Sequence, residues 1–141
     1  MTRTHIPKRL RELVTRDARQ RCGYCQTQQR VVGRPMEIDH IIPESHGGRT
    51  ERENLWLACS LCNGHKSDRM AAIDPDSGEW VRLYNPRYDT WNNHFCWNDA
   101  CDHIVGHSSI GRAAVIALNL NRLSLVKARQ LWVAVGWHPP T

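Results

Sequence analysis

Two sets of residues in this sequence have spacings that could do chemistry. Cys22-Gly23-Tyr24-Cys25 and Cys59-Ser60-Leu61-Cys62 are CxxC pairs separated by a long loop. A CxxC turn aims two thiolates at one point, and two such turns supply the four ligands of a tetrahedral zinc ion. Four thiolates fill the coordination sphere, so the spacing predicts a structural zinc that leaves no position for substrate. A redox dithiol would need a thioredoxin-like βαβ setting, and the sequence has none. The second set lies in residues 36–66, MEIDHIIPESHGGRTERENLWLACSLCNGHK. Here Asp39-His40 closes an apolar run, Asn54 opens another, and the second CxxC runs directly into Asn63.

The elements that would position these groups can be read from pattern. Residues 7–20 suit a helix, with Pro7 at its first position and Leu10, Leu13 and Val14 as a short apolar stripe. Arg3, Lys8, Arg9, Arg11, Arg16, Arg19 and Arg21 give that segment a basic surface, either a solvated face or a phosphate contact. Residues 26–34 read as a polar loop. Residues 36–42 suit a strand ended by Pro43, the Gly47-Gly48 pair a turn, and residues 54–58 a second short strand. Residues 61–70 read as a helix with Cys62 and Asn63 in its first turn. The sum is β-turn-β-helix with ligand residues at its corners. In a regular strand Asp39 and His40 point to opposite faces, so both reach one site only where the strand ends or bulges.

Beyond Ala71 the pattern changes. Asp74 to Gly78 is a turn cluster, and residues 79–84, 91–97 and 103–107 are strand candidates. Residues 112–120 and 124–135 suit helices, the latter with Leu125, Ala128, Trp132 and Val135 on one face. Trp80, Trp91, Trp97, Trp132 and Trp137 suggest a packed layer rather than a linker. Cys96 and Cys101, with His94, His103 and His107 nearby, match no tight metal spacing and read as incidental thiols. The expected organisation is α+β, with a metal-stapled domain over 1–72 and an extension of short strands and two helices over 73–141 packed on it.

Composition narrows the function. In 141 residues, 19 Lys and Arg stand against 14 Asp and Glu, a net charge of +5 and a pI near 9.1. That balance suits an anionic partner, nucleic acid being the commonest. The basic N-terminus lacks an apolar signal-peptide core, and no run approaches membrane-spanning length. Without a secretory signal, paired CxxC motifs point to metal in a reducing cytoplasm and not to disulfides.

The pattern D-H-I-I-P-x-S-x-G-G, then E-N-L, then C-x-x-C-N-x-x-K resembles the HNH endonuclease family, in particular its zinc-containing four-cysteine branch. The resemblance covers roughly residues 20–70. It implies a ββα-metal, or His-Me finger, core and metal-dependent hydrolysis of phosphodiester bonds in DNA, most often double-stranded. By position it makes His40 the general base, with Asp39 and Asn63 holding one catalytic Mg2+ or Mn2+. Asn54 would pin the loop and orient His40 by hydrogen bonding. Such roles suit the residue types: imidazole accepts a proton near neutral pH, and hard oxygens suit these ions. Asn63 stands where some members have histidine, and His65 lies too far round the helix to replace it. Lys66 shares the face of Asn63 and, with Arg49 in the loop, is a candidate substrate contact or an exposed cation. Glu37 shares a strand face with Asp39. The alternative function is a non-catalytic zinc-ribbon module that binds nucleic acid, which would need none of Asp39, His40 and Asn63.

Overall fold

The computed structural model describes residues 4–141, so Arg3 lies outside the described residues. The chain forms two compact units, Met1–Asp68 and Arg69–Thr141. The division falls a few residues before the expected one, because Ala71–Ile73 pairs within the second unit.

The first unit runs α1 (Lys8–Asp17), α2 (Gln29–Val32), β1 (Glu37–His40), β2 (Leu55–Ala58) and α3 (Ser60–Lys66). Pro7 precedes α1, where its fixed φ and missing N–H cost nothing. The apolar stripe of α1 meets the sheet: Ile6, Val14 and Leu55 form a buried cluster, with Leu10 and Ile38 against it. Burying a side chain of this size stabilises by about 1.5–3 kcal/mol, so this core is modest. A bidentate pair from Arg52 to Asp17 also ties the turn before β2 to the end of α1. The expected loop at 26–34 contains the short helix α2, closed by Gly33 at φ 67°. Its Gln29–Val32 core carries no apolar period for a sequence reading to detect.

β1 and β2 are antiparallel, with Asp39 opposite Trp56 and His40 opposite Leu55. α3 is shorter than expected. It ends at Lys66 because Ser67 takes φ 51°, outside the helical region.

The second unit holds two hairpins and two helices. β3 (Ala71–Ile73) pairs with β4 (Trp80–Arg82), and β5 (Phe95–Trp97) with β6 (Ile104–Gly106). α4 (Ser109–Ala117) and α5 (Leu123–Ala134) follow. α4 lies close on β6: a Cβ on Gly106 would fall 2.4 Å from the Arg112 backbone nitrogen. The expected apolar face of α5 is only partly right. Leu125 and Val126 are buried, but Val135 is exposed and Arg129 is fully buried. Arg129 donates to the carbonyls of Leu120 and Asp102 and lies over the Trp97 ring. The tryptophan layer is likewise partial, since Trp80 and Trp137 are exposed.

Three carboxylates of this unit are held below their usual range by fixed donors: Asp74 by Arg112, Asp89 by Arg82, and Asp102 by His103 with Gln130 and Asn98. A depressed carboxylate pKa contributes stability that is present above the unfolded value, about 4, and lost as pH falls below it. Urea unfolding followed by tryptophan fluorescence, which reports mainly this unit, should therefore show falling stability below about pH 4. Arg112→Met should shrink that dependence, because the Asp74 share disappears.

Candidate active site

The site is built on a knot of sulfur. The Sγ atoms of Cys22, Cys25, Cys59 and Cys62 lie within 4.8 Å of one another. Cys25 Sγ and Cys59 Sγ are 3.8 Å apart. That is too long for a disulfide, and it matches the edge of a tetrahedron with metal–sulfur bonds of about 2.3 Å. Burial pushes the Cys22 thiol well up while hydrogen bonds from the other three cysteines hold the Cys25 thiol well down, and four clustered thiolates together call for a compensating cation. The donor set therefore fits zinc. Cys59 also caps α3, its Sγ accepting from the Cys62 N–H at 3.4 Å. The helix thus starts where the cluster is closed. Among the described residues this is the one group of three or more potential ligand side chains drawn together. Cys96 is exposed, and His94, His103 and His107 are hydrogen-bonded to Ser108, Asp102 and Asn92.

The oxygen and nitrogen groups lie beside it. A cavity of about 320 Å³ is lined by Glu37, Asp39, His40, Glu44 and Asn63, with Arg11 at one side. Asp39 and His40 are chain neighbours on β1, yet both line this cavity. The strand ends at His40, which is the one place where the alternation can relax.

Asp39 is buried, with 4% exposure, and both of its oxygens are engaged. Tyr24 donates its hydroxyl to Oδ2 at 2.6 Å, and Lys66 Nζ lies 3.2 Å from Oδ1. Burial raises the Asp39 carboxyl above its usual value, against the pull of Lys66 and Tyr24. Lys66 is itself 2% exposed and donates also to the His40 carbonyl at 3.0 Å. The expectation that Lys66 reaches substrate is therefore corrected. Its stem turns inward from α3, and its ammonium is spent on β1.

His40 Nε2 lies 2.9 Å from Thr50 Oγ1 and 3.8 Å from Glu44 Oε1. Glu44 in turn accepts from the Thr4 hydroxyl. Asn54 makes no hydrogen bond to the His40 side chain. Its Oδ1 accepts from the Ile42 N–H, and its Nδ2 donates to the carbonyls of Ile42 and Arg49. It thereby closes residues 42–49 into a fixed loop. The fit is tight: a Cβ on Gly48 would fall 1.7 Å from the Ile42 oxygen. Asn54→Ala orphans three backbone groups, two carbonyls and one N–H. Because these bonds are exposed and water can replace them, it should cost about 0.5–1.5 kcal/mol in urea denaturation. Arg49 is exposed beside Glu51 and does not line the cavity.

Asn63 donates Nδ2 to Glu37 Oε1 at 2.7 Å, which leaves its amide oxygen available. From the sequence, Glu37 reads as a plain surface carboxylate, with support of the Asp39 site as the alternative, and Tyr24 and Thr50 have no role. The period-2 relation of Glu37 to Asp39 was a usable signal for the first. Tyr24, placed between two zinc ligands, and Thr50, inside an irregular loop, carried none.

Residues 22–69 match the HNH endonuclease family. This segment resembles an HNH domain. It takes in both cysteine pairs, both strands of the first unit and α3, and it leaves α1 outside. The chain also resembles the Septu protein PtuB of Bacillus thuringiensis, at 29% identity over 114 residues. The match covers 79% of this chain and 41% of that relative, so the chain spans less than half of its length. No solved structure matches. The HNH assignment makes nuclease-type chemistry on nucleic acid the frame for the cavity, and it fits the zinc cluster as the staple of that domain. Among the described residues no helix is long and apolar enough to cross a membrane.

Proposed function

We propose that the protein is a metal-dependent endonuclease that hydrolyses phosphodiester bonds in double-stranded DNA, with His40 as general base. The observation that carries this reading is the convergence of His40, Asp39, Glu37 and Asn63 on one cavity inside the HNH segment. A zinc-ribbon binding module would have no use for that convergence.

Asp39 and Asn63 would hold the catalytic Mg2+ or Mn2+. Asn63 presents an amide oxygen, held by Glu37. The Asp39 carboxylate keeps acceptor capacity beyond its two hydrogen bonds. Such an ion, when bound, supplies charge neutralisation at the phosphoryl oxygens and the leaving oxygen. The protein's own residues do the rest. If Thr50 Oγ1 accepts from His40 Nε2–H, the bare Nδ1 lone pair is left to take a proton from water. Lys66, through the His40 carbonyl, and Asn54, through the loop, keep the imidazole from drifting. Arg49, exposed at the loop, would approach substrate from outside the cavity.

Plasmid cleavage with Mg2+ or Mn2+ tests this. General-base catalysis contributes about 10²–10⁴-fold, and His40→Ala should lose that much with zinc content unchanged. Absence of cleavage by the wild type with any divalent ion would falsify the endonuclease reading. Full activity in His40→Ala would sink only the base assignment.

A further inference from the structure

Beside the catalytic cavity lies a second depression, about 430 Å³, along one face of α1. Lys8, Arg11, Glu12, Thr15 and Arg16 line it from the helix, and Pro35 and Met36 from the approach to β1. Arg11 and Met36 line both depressions, so the two are continuous. The five helix residues recur at spacings of three and four, one face of an α-helix.

The charge on this face is not used internally. Arg11 and Arg16 are exposed and make no side-chain hydrogen bond or ion pair among the described residues. Lys8 meets Glu12 at 4.0 Å, an exposed pair of small energy. Arg52 and Arg49 of the same unit are paired, to Asp17 and beside Glu51, and the exposed Arg9, Arg19 and Arg34 do not line the depression. The unit also carries most of the excess charge, 12 of the 19 Lys and Arg against eight of the 14 Asp and Glu. The cavity itself is lined by three carboxylates, Glu37, Asp39 and Glu44, and would repel a polyanion unaided. The attraction must come from beside it.

We propose that this face of α1 is a backbone track for duplex DNA, with Arg11 and Arg16 contacting successive phosphates of the strand that enters the HNH cavity. The inference rests on the nuclease reading and adds what brings the substrate in. From Lys8 to Arg16 the helix rises about 12 Å at roughly 1.5 Å per residue. A DNA strand rises about 3.4 Å per nucleotide, so the track spans roughly three to four nucleotides. A duplex backbone fits such a straight, unhooked row better than unstacked bases would, since no aromatic side chain lines it.

The test is fluorescence anisotropy of a labelled duplex with the full-length, zinc-loaded protein, without added Mg2+, between about 50 and 200 mM salt. Each phosphate contact contributes about 0.9 to the slope of log K against log salt. Arg11→Gln with Arg16→Gln should flatten that slope by about 1.8 and weaken binding by about tenfold or more at 0.1 M salt. Lys127→Gln, an exposed cation on α5, should leave both unchanged. Circular dichroism and zinc content check that each variant is folded. If the wild type cuts DNA but the double variant binds with an unchanged slope, the track is wrong and the nuclease reading stands. The track also falls if Lys127→Gln costs as much. A wild type that neither binds nor cuts duplex overturns both.

Discussion

Cys59→Ser is expected to strip the zinc and unfold the first unit while the second stays folded. The apolar core around Val14 and Leu55 is small. α3 has seven residues, well below the roughly 12–15 that an isolated helix needs even in favourable sequences. Structural zinc in small domains contributes about 10–16 kcal/mol of apparent binding free energy at neutral pH, more than that core could replace. Serine can itself cap the α3 N-terminus, so the loss reports the metal and not the cap. Metal analysis together with circular dichroism reads the outcome. Tryptophan fluorescence, from five of the six tryptophans, should report the second unit still folded. A variant that keeps both its zinc and its melting temperature would show that the cluster is not the staple.

Lys66→Met is expected to destabilise the first unit by about 3–5 kcal/mol, the usual cost of leaving one member of a buried ion pair without its partner. Solvent does not screen this pair, since its side chains are 2% and 4% exposed. The methionine fills the lysine stem but leaves Asp39 charged in a buried pocket with only the Tyr24 hydroxyl. The His40 carbonyl also loses its donor, so cleavage should fall with stability. Temperature-dependent zinc release measures the first unit directly. Adding Asp39→Asn removes the stranded charge and should recover much of the stability, though not the activity. A single variant as stable as wild type would mean that the Lys66–Asp39 pair contributes nothing.

The fate of Lys66 also marks what the sequence could and could not tell. Its place on the Asn63 face of α3 followed from helical spacing, and that held. Whether the side chain points out to solvent or in to β1 depends on where the strand passes, which spacing does not encode. The same limit explains Tyr24. The cysteines on either side announce themselves by type, but their neighbour becomes a partner of Asp39 only once the zinc turn is folded against the sheet. The ββα order and the cysteine set were legible because each rests on local pattern, whereas the first strand, expected to run from 36 to 42, stops at His40. Asn54 was recognised as the pin of its loop, but its bonds go to the backbone of Ile42 and Arg49 and not to the imidazole. In the second unit, the 3.6 period of α5 placed Leu125 correctly and misplaced Val135. It could not anticipate an arginine buried among carbonyls.

Cys62 closes the sulfur cluster and the next residue, Asn63, faces the cavity, both in the first turn of a helix too short to persist alone. Closure of the sulfur cluster therefore sets where Asn63 stands against Glu37, and a chain stripped of its staple would lose one wall of the cavity with it.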